Sequence, residues 1–178
     1  MDLQQLKFPI GPFSKPAVIT QAHLSEWIDI LENFPLNISK EVSTLSNAQL
    51  ESTYRPGGWT IRQIVHHCAD SHMNSFIRLK LTLTEEQPTI KPYMQDLWAD
   101  LIDTKQFPIH ASLQIIEGVH HRWVALLKQL SETELKRTYI HPEYKKEFSI
   151  EENMGLYAWH CRQHLAHIKL AKKARGNF

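Results

Sequence analysis

The sequence lacks a surplus of either charge, because 20 lysine and arginine residues are matched by 19 aspartate and glutamate residues, for a net charge of +1. Without a basic surplus the composition does not favour binding to a phosphate backbone, and we expect no nucleic-acid partner. The chain also lacks any run near the roughly 18 apolar residues of a transmembrane helix, and its polar first residues do not form a signal peptide. We therefore expect a soluble, cytoplasmic protein with no membrane partner.

Cysteine is scarce as well, with Cys68 and Cys161 as the only two. Two cysteines are too few for a disulfide scaffold and suit a reducing compartment, so we expect both to be small buried residues. The 178 residues, of which 42% are hydrophobic and 22% charged, have the size and composition of one globular domain. We predict a single domain spanning residues 1–178.

The spacing of apolar residues predicts four long helices. Apolar residues recur at three- and four-residue steps in four stretches, Thr20 to Leu45, Thr60 to about Leu83, Ser112 to Leu130, and Ser149 to Ile168. Three pairs have the spacing of a capping box, Thr60 with Gln63, Ser131 with Glu134 and Ser149 with Glu152. These signals predict an all-α fold, a four-helix bundle.

The segments between these helices are rich in proline. Residues 1–19 contain three prolines and are predicted to form an extended N-terminal arm. Residues 84–109 contain three more and are predicted to form a long connection with one or two helical turns. A small hairpin is predicted from Thr138 to Ser149, and Pro35 is expected to kink or split the first helix.

Histidine is the unusually frequent residue, with eleven copies. His160 and His164 are four positions apart, which places both imidazoles on one helix face about 5–6 Å apart, in chelating geometry. His66 and His67 on the second helix point about 100° apart, so only one of them can complete a site with that pair. Three neutral histidines with an open fourth position are typical of a catalytic metal centre.

Several other residues bear on the composition of this site. Asp70 follows His67 by three positions and shares its face, so its carboxylate is predicted to accept the other ring hydrogen of that imidazole. Residues 160–164 read HCRQH and lack the glutamate of the HExxH motif, so no general base can be assigned. His120 and His121 have no histidine four positions away and are expected at the surface or the edge of the bundle. Arg62 and Arg78 could meet an anionic substrate, although an arginine on a helix lies more often on a solvated face.

Two other interpretations of the histidines stay open at this point. An HxxxH spacing also arises by chance in a chain with eleven histidines, in which case the rings are packing residues. A closed metal site that uses Cys68 and Cys161 is the other alternative. Each cysteine directly follows a proposed ligand, however, so helix geometry turns it away when that histidine faces inward.

Three segments carry a resemblance to a known family, residues 59–74 (WTIRQIVHHCADSHMN), 157–160 (YAWH) and 164–168 (HLAHI). Together they resemble the DinB-like superfamily and, within it, the YfiT group of metal-dependent hydrolases. The similarity covers essentially the whole chain, although Cys68 stands where leucine is common in that group. The resemblance implies a DinB/YfiT-like four-helix bundle, a homodimer, and one divalent ion per chain, zinc or nickel, held by His67, His160 and His164.

The leading functional hypothesis is a metal-dependent hydrolase acting on a small-molecule substrate, in which the metal activates a nucleophile. The first alternative, also implied by the wider superfamily, is transfer of a low-molecular-weight thiol of the bacillithiol type to a small electrophile. The missing general base favours the thiol slightly, because coordination alone can deprotonate it. The second alternative is a module that binds a metal or a small molecule without turnover.

Overall fold

The computed structural model of the protein describes residues 2–174. Within them lie four long helices, α2 (Gln21–Val42), α4 (Ile61–Thr84), α7 (His110–Leu127) and α9 (Ile150–Ala174). The remaining elements are short, namely α1 (Leu3–Lys7), α3 (Asn47–Leu50), α5 (Gln95–Ala99), α6 (Ile102–Gln106), α8 (Glu132–Leu135), β1 (Thr138–His141) and β2 (Lys146–Ser149). Residue 1 and residues 175–178, which the predicted domain boundaries include, lie outside the described residues.

The four long helices pack around one apolar core, which confirms the predicted four-helix bundle. Helix α2 packs mainly on α9 and α7, and α4 packs mainly on the same two helices. The first two long helices therefore face each other across the diagonal of the bundle rather than lying side by side. No helix within residues 2–174 is long and apolar enough to cross a membrane.

Helix α2 runs without interruption through Pro35, so the expected split does not occur. Phe34 and Ile38 on either side are fully buried, and their packing holds the helix together across the proline. Proline has no N–H, so the carbonyl of Leu31, four residues earlier, has no helical donor from position 35. That carbonyl instead accepts a hydrogen bond from Nδ1 of His120 on α7.

The predicted capping chemistry is present at the helix starts. Thr60 and Gln63 form a reciprocal capping box at α4, and an equivalent box opens α8. At α9, the hydroxyl of Ser149 accepts a hydrogen bond from the backbone N–H of Glu152. The Glu152 carboxylate does not complete the box, because it forms an ion pair with Lys146.

The arm and the connection contain more structure than their prolines indicate. Residues 3–7, predicted to be extended, form helix α1, because Asp2 and Gln5 make a capping box around its first turn. The arm then lies against α9, where the Trp159 indole N–H donates to the carbonyl of Gly11. The connection contains α5 and α6, and the predicted hairpin is formed by β1 paired antiparallel with β2.

Candidate metal centre

The structure brings His67 of α4 together with His160 and His164 of α9. The Nε2 atom of His160 lies 3.2 Å from Nε2 of His67 and 3.2 Å from Nε2 of His164. One ring nitrogen from each of the three lies within 4.8 Å of the other two. Because α4 and α9 pack against each other, one turn of α9 supplies two imidazoles and one position of α4 supplies the third.

Burial keeps these three imidazoles neutral. His67 is 4% exposed and His164 8% exposed, while His160 is half-buried. Burial lowers the pKa of each well below 6.5, and the neighbouring histidines lower it further. A neutral imidazole keeps one unprotonated nitrogen, which is the form that binds a metal ion.

A chain of hydrogen bonds across three helices assigns the proton of His160. The carbonyl of Leu31 can only accept, so Nδ1 of His120, 2.6 Å away, carries a proton. The Nε2 atom of His120 is then an acceptor for Nδ1–H of His72 at 2.7 Å. In turn, Nε2 of His72 accepts from Nδ1–H of His160 at 3.0 Å. The Nε2 atom of His160 is therefore left with a free lone pair.

A second chain reaches His164 from the opposite side. His167 donates from Nε2 to the carbonyl of Lys7 over 3.1 Å, so its Nδ1 atom is an acceptor. That Nδ1 atom lies 3.5 Å from Nδ1 of His164, which then carries the proton. The Nε2 atom of His164 is left unprotonated, like that of His160. The N-terminal arm thus contributes to the orientation of a site residue through the backbone of Lys7.

The donor set fits a divalent cation. The assigned tautomers place two unprotonated Nε2 atoms, those of His160 and His164, 3.2 Å apart, where their lone pairs repel unless a cation lies between them. Tetrahedral zinc, with Zn–N bonds of about 2.0–2.1 Å, holds its nitrogens about 3.3–3.4 Å apart. The observed separation is close to that spacing. Three imidazoles without a thiolate or a fourth protein ligand match the open type of metal centre.

A second group with the composition of a metal site, His72, His120 and Cys161, lies deeper in the bundle. Its two rings are already joined by the 2.7 Å hydrogen bond described above, so the facing nitrogens carry one proton between them. Burial raises the pKa of the Cys161 thiol well above 9.0, which keeps it protonated. His72 and His120 therefore support His160 through hydrogen bonds rather than bind a metal ion. Both cysteines are free and buried, as expected.

Asp70 does not reach the site histidines. Among residues 2–174 its carboxylate makes no hydrogen bond to His67, His160 or His164. Burial and the charge of Asp103 on α6 raise the pKa of the Asp70 carboxyl to about 6. The three-residue spacing predicted that Asp70 and His67 share a helix face, but no hydrogen bond joins the Asp70 carboxylate to the ring of His67. Positioning of the ligand rings comes instead from other histidines.

Three side chains that were expected at the surface are buried instead. His120 is 1% exposed, because it is directed across the bundle toward α2 and α4 rather than along its own helix. Arg62 is 5% exposed and donates to Glu51 and to the carbonyl of Phe107, so it ties α4 to the connection. Arg78 is 9% exposed and lines a cleft. His121, in contrast, is exposed as expected.

Sequence reasoning did not assign roles to His66, His72 and His167. His66 is structural, since its ring contacts the hydroxyl of Ser112 at 2.8 Å and the carbonyl of Phe107 at 3.2 Å. His72 and His167 hold the rings of His160 and His164. Two spacings in the sequence could have pointed to these supporting roles. His72 follows His67 by five positions, and His167 follows His164 by three.

The site is covered on one side and open on the other. The indole of Trp59 lies over His67, with ring centroids 4.6 Å apart, and the ring of Tyr54 stacks on His167 at 3.9 Å. On the other side, His160 lines a cleft of about 490 Å³ between α4, α9, the hairpin and the connection. A small molecule in this cleft can reach His160.

Comparison with known proteins places the chain in a family. The DinB superfamily profile matches residues 31–168. A protein of Oceanobacillus iheyensis named "putative metal-dependent hydrolase" is 51% identical over 162 residues, which cover 91% of this chain and 93% of that protein. YfiT of Bacillus subtilis, named in the same way, is 42% identical over 171 residues, which cover 96% of each chain.

The solved structure of YfiT from Bacillus subtilis is described as a probable metal-dependent hydrolase with an unusual four-helix bundle topology. It superposes with a TM-score of 0.93, at 42% identity, over 97% of this chain and 98% of its own. Both the resemblance found in the sequence and the bundle fold are thereby confirmed. The chain belongs to the DinB superfamily.

Proposed function

We propose that this protein is a hydrolase that depends on one divalent metal ion, held by His67, His160 and His164. The observation that carries the proposal is the convergence of three neutral imidazoles at the end of a cleft, with two lone pairs facing each other. The names of the relatives from Oceanobacillus iheyensis and Bacillus subtilis support the same activity. We propose zinc or nickel as the ion, because both accept imidazole ligands.

A divalent ion bound there supplies a Lewis acid, which lowers the pKa of a nucleophile or polarises a carbonyl group. The protein itself contributes orientation and shielding. His72 and His167 fix the tautomers of His160 and His164, so both present an unprotonated Nε2 atom. The indole of Trp59 packs on His67 and the ring of Tyr54 stacks on His167, which shields these two imidazoles. We expect substrate to approach from the cleft that His160 lines.

One observation favours the alternative of thiol transfer. Among residues 2–174, the group formed by the three histidines includes no carboxylate ligand, and no carboxylate is hydrogen-bonded to them. Hydrolysis calls for a general base within hydrogen-bond reach of the attacking water, whereas a thiol is deprotonated by coordination alone. We therefore keep a low-molecular-weight thiol S-transferase acting on small electrophiles as the second candidate.

We also propose that the protein acts as a cytoplasmic homodimer. The cytoplasm is supported by the two free cysteines, which suit a reducing compartment.

The dimer is supported by the connection between α4 and α7, which exposes several large apolar side chains of the kind that a second subunit covers. They are Met94, Leu97, Leu101, Ile102 and Phe107, each more than half exposed. Analytical ultracentrifugation at two concentrations tests the dimer, and Leu97→Asp is expected to produce monomer.

The activity is tested on protein reconstituted with zinc or nickel. One arm measures hydrolysis of small ester, amide and lactone substrates, and the other measures conjugation of a small thiol to an electrophile. We expect turnover in one arm, loss of it on chelation, and loss in His164→Ala with helical content unchanged. His110→Ala, which removes an exposed histidine, is the matched control and should keep full activity. Inactivity in both arms would contradict an enzyme and leave the non-catalytic binding module.

A further inference from the structure

The cleft beside His160 contains an arginine without an anionic partner. Arg78 of α4 lines the cleft and is only 9% exposed. Among residues 2–174 its guanidinium forms no ion pair and donates no hydrogen bond, and its Nε atom is buried without a partner. A buried arginine charge is costly unless an anion compensates it.

Arg62, the other buried arginine among residues 2–174, shows how the charge of a buried guanidinium is compensated in this fold. Arg62, at 5% exposed, donates from Nε to Glu51 at 2.7 Å and from NH1 to the carbonyl of Phe107 at 2.8 Å. Arg78, farther along the same helix and beside the hairpin, has no such partner among residues 2–174. The difference leaves room for a partner that is not part of the described chain.

A second buried polar atom without a partner lines the same cleft. The Nδ1 atom of His141, at the end of β1, is buried and makes no hydrogen bond. Burial lowers the pKa of His141, and the positive charge of Arg78 lowers it further. The cleft thus offers a cation and a neighbouring ring nitrogen to one ligand group.

The nearby carboxylates do not neutralise Arg78. Glu152 is buried, but it is paired with Lys146 and Lys15. Asp96 and Glu143 line the rim of the cleft and are exposed, and neither lies within ion-pair distance of Arg78. Because exposed carboxylates are screened by water, they compensate a buried guanidinium weakly.

The remaining wall of the cleft is aromatic and apolar. Tyr93, Tyr139, Phe148 and Tyr157 line it, and the rings of Tyr139 and Phe148 stack with centroids 5.7 Å apart. The volume of about 490 Å³ falls within the range of small-molecule sites. Its lining combines apolar surface with one buried positive charge, while its two carboxylates, Asp96 and Glu143, are exposed to water. A buried positive charge beside an aromatic wall suits an acid with an apolar body.

We propose that the cleft binds a small organic anion, with its carboxylate or phosphate group at Arg78 and His141 and its apolar body against the aromatic wall. Arginine suits this role because its planar guanidinium donates two parallel hydrogen bonds to either group. The inference that this anion is the substrate rests on the proposed hydrolase, because the other end of the ligand would then lie toward His160. Binding of the anion itself does not need the metal.

The test measures binding to metal-free protein by calorimetry or by NMR titration. The probes are 3-phenylpropanoate, phenyl phosphate, and 3-phenylpropanamide as the neutral matched control. We expect at least one anion to bind tenfold or more tightly than the amide. In Arg78→Gln this preference should disappear while amide binding persists, which also shows that the variant is folded. Arg78→Lys should retain part of the preference, and Arg122→Gln, an exposed arginine outside the cleft, all of it.

Equal binding of the anions and the amide by the wild type, or a preference that survives in Arg78→Gln, overturns the proposal. Failure of both anions to bind overturns it as well. The relative strength of the carboxylate and phosphate probes decides which anionic group the substrate carries. Because the binding test uses metal-free protein, its outcome does not depend on the hydrolase assay. The anion-binding proposal and the hydrolase proposal can therefore fail separately.

Discussion

The Nε2 atom of His72 lies 3.0 Å from Nδ1 of His160, and this contact links a proposed metal ligand to the backbone of α2. The link continues through His120 to the carbonyl of Leu31. That carbonyl has no donor from position 35, because the residue there is a proline. Pro35 therefore leaves free the acceptor that fixes the proton positions of three histidines.

Replacing His72 is predicted to weaken metal binding without unfolding the protein. His72→Leu removes the acceptor for Nδ1–H of His160, and losing such a partner typically lowers metal affinity by about 10–100-fold. His72→Gln keeps an acceptor and should restore most of the affinity. Titration against a chelator of known affinity measures both, with circular dichroism as the check on folding.

Asp70→Asn is the matched control for this prediction, because the carboxylate lies on the same helix but makes no hydrogen bond to any of the three histidines. Its metal affinity should stay within about twofold of the wild type, a small change beside the 10–100-fold loss above. A larger loss in Asp70→Asn than in His72→Leu would restore Asp70 as the residue that positions a ligand.

The stability of the metal-free protein is predicted to fall on mild acidification. Burial lowers the pKa of His120 from 6.5 to about 4. Between these two values the unfolded chain binds more protons than the folded one, so the contribution of His120 is complete above pH 6.5 and is lost as the pH falls toward 4. The loss amounts to about 3 kcal/mol of unfolding free energy.

This contribution is measured by urea unfolding at several pH values in the presence of a chelator. The His120→Gln variant, which cannot titrate, should lose less stability than the wild type between pH 7 and pH 4. Parallel pH profiles for the two proteins would show that His120 is not held neutral by burial.

The two buried arginines are predicted to respond oppositely to removal of their charge. Arg62→Met breaks an ion pair and leaves backbone and side-chain acceptors unpaired, which should cost about 2–3 kcal/mol. Arg78→Met removes a charge without a partner, so its stability without ligand should be unchanged or higher. Chemical unfolding of both variants tests the contrast. An equal loss in both would mean that Arg78 has a structural partner.

A glycine in α9 is predicted to set the distance between α2 and α9. A Cβ atom at Gly155 would lie 2.8 Å from the indole of Trp27, which is buried and cannot move freely. Gly155→Ala should therefore destabilise the protein by about 1–3 kcal/mol, although alanine favours a helix. The exposed Gly118, whose added Cβ would meet nothing, is the control, and Gly118→Ala should be neutral or stabilising.

The sequence contained enough information for the helices and for the pair His160 and His164, because both depend on spacing within one element. The choice of His67 over His66 came from the family resemblance. Capping pairs such as Thr60 with Gln63 act over three residues, and they opened helices as predicted. The chelating pair His160 and His164 is likewise a local feature of α9, and the structure brings both together with His67.

Contacts between helices were beyond the same reasoning. His120 has no partner four positions along its helix, and its role appears only when α7 packs against α4 and α2. The burial of Arg78 depends on the hairpin and the connection, which periodicity does not place. The helix-breaking tendency of Pro35 was overruled by the buried residues beside it, since tertiary packing outweighs local propensity.

The central claim is that His67, His160 and His164 hold one divalent ion. The most direct test is metal content by elemental mass spectrometry on untagged protein, beside the double variant His160→Ala/His164→Ala, with circular dichroism on both. We expect about one ion per chain in the wild type and none in the double variant, which should remain helical, because the site is held by three protein ligands. A wild type that is metal-free after gentle purification with divalent ions supplied would contradict it, and the histidines would then be packing residues.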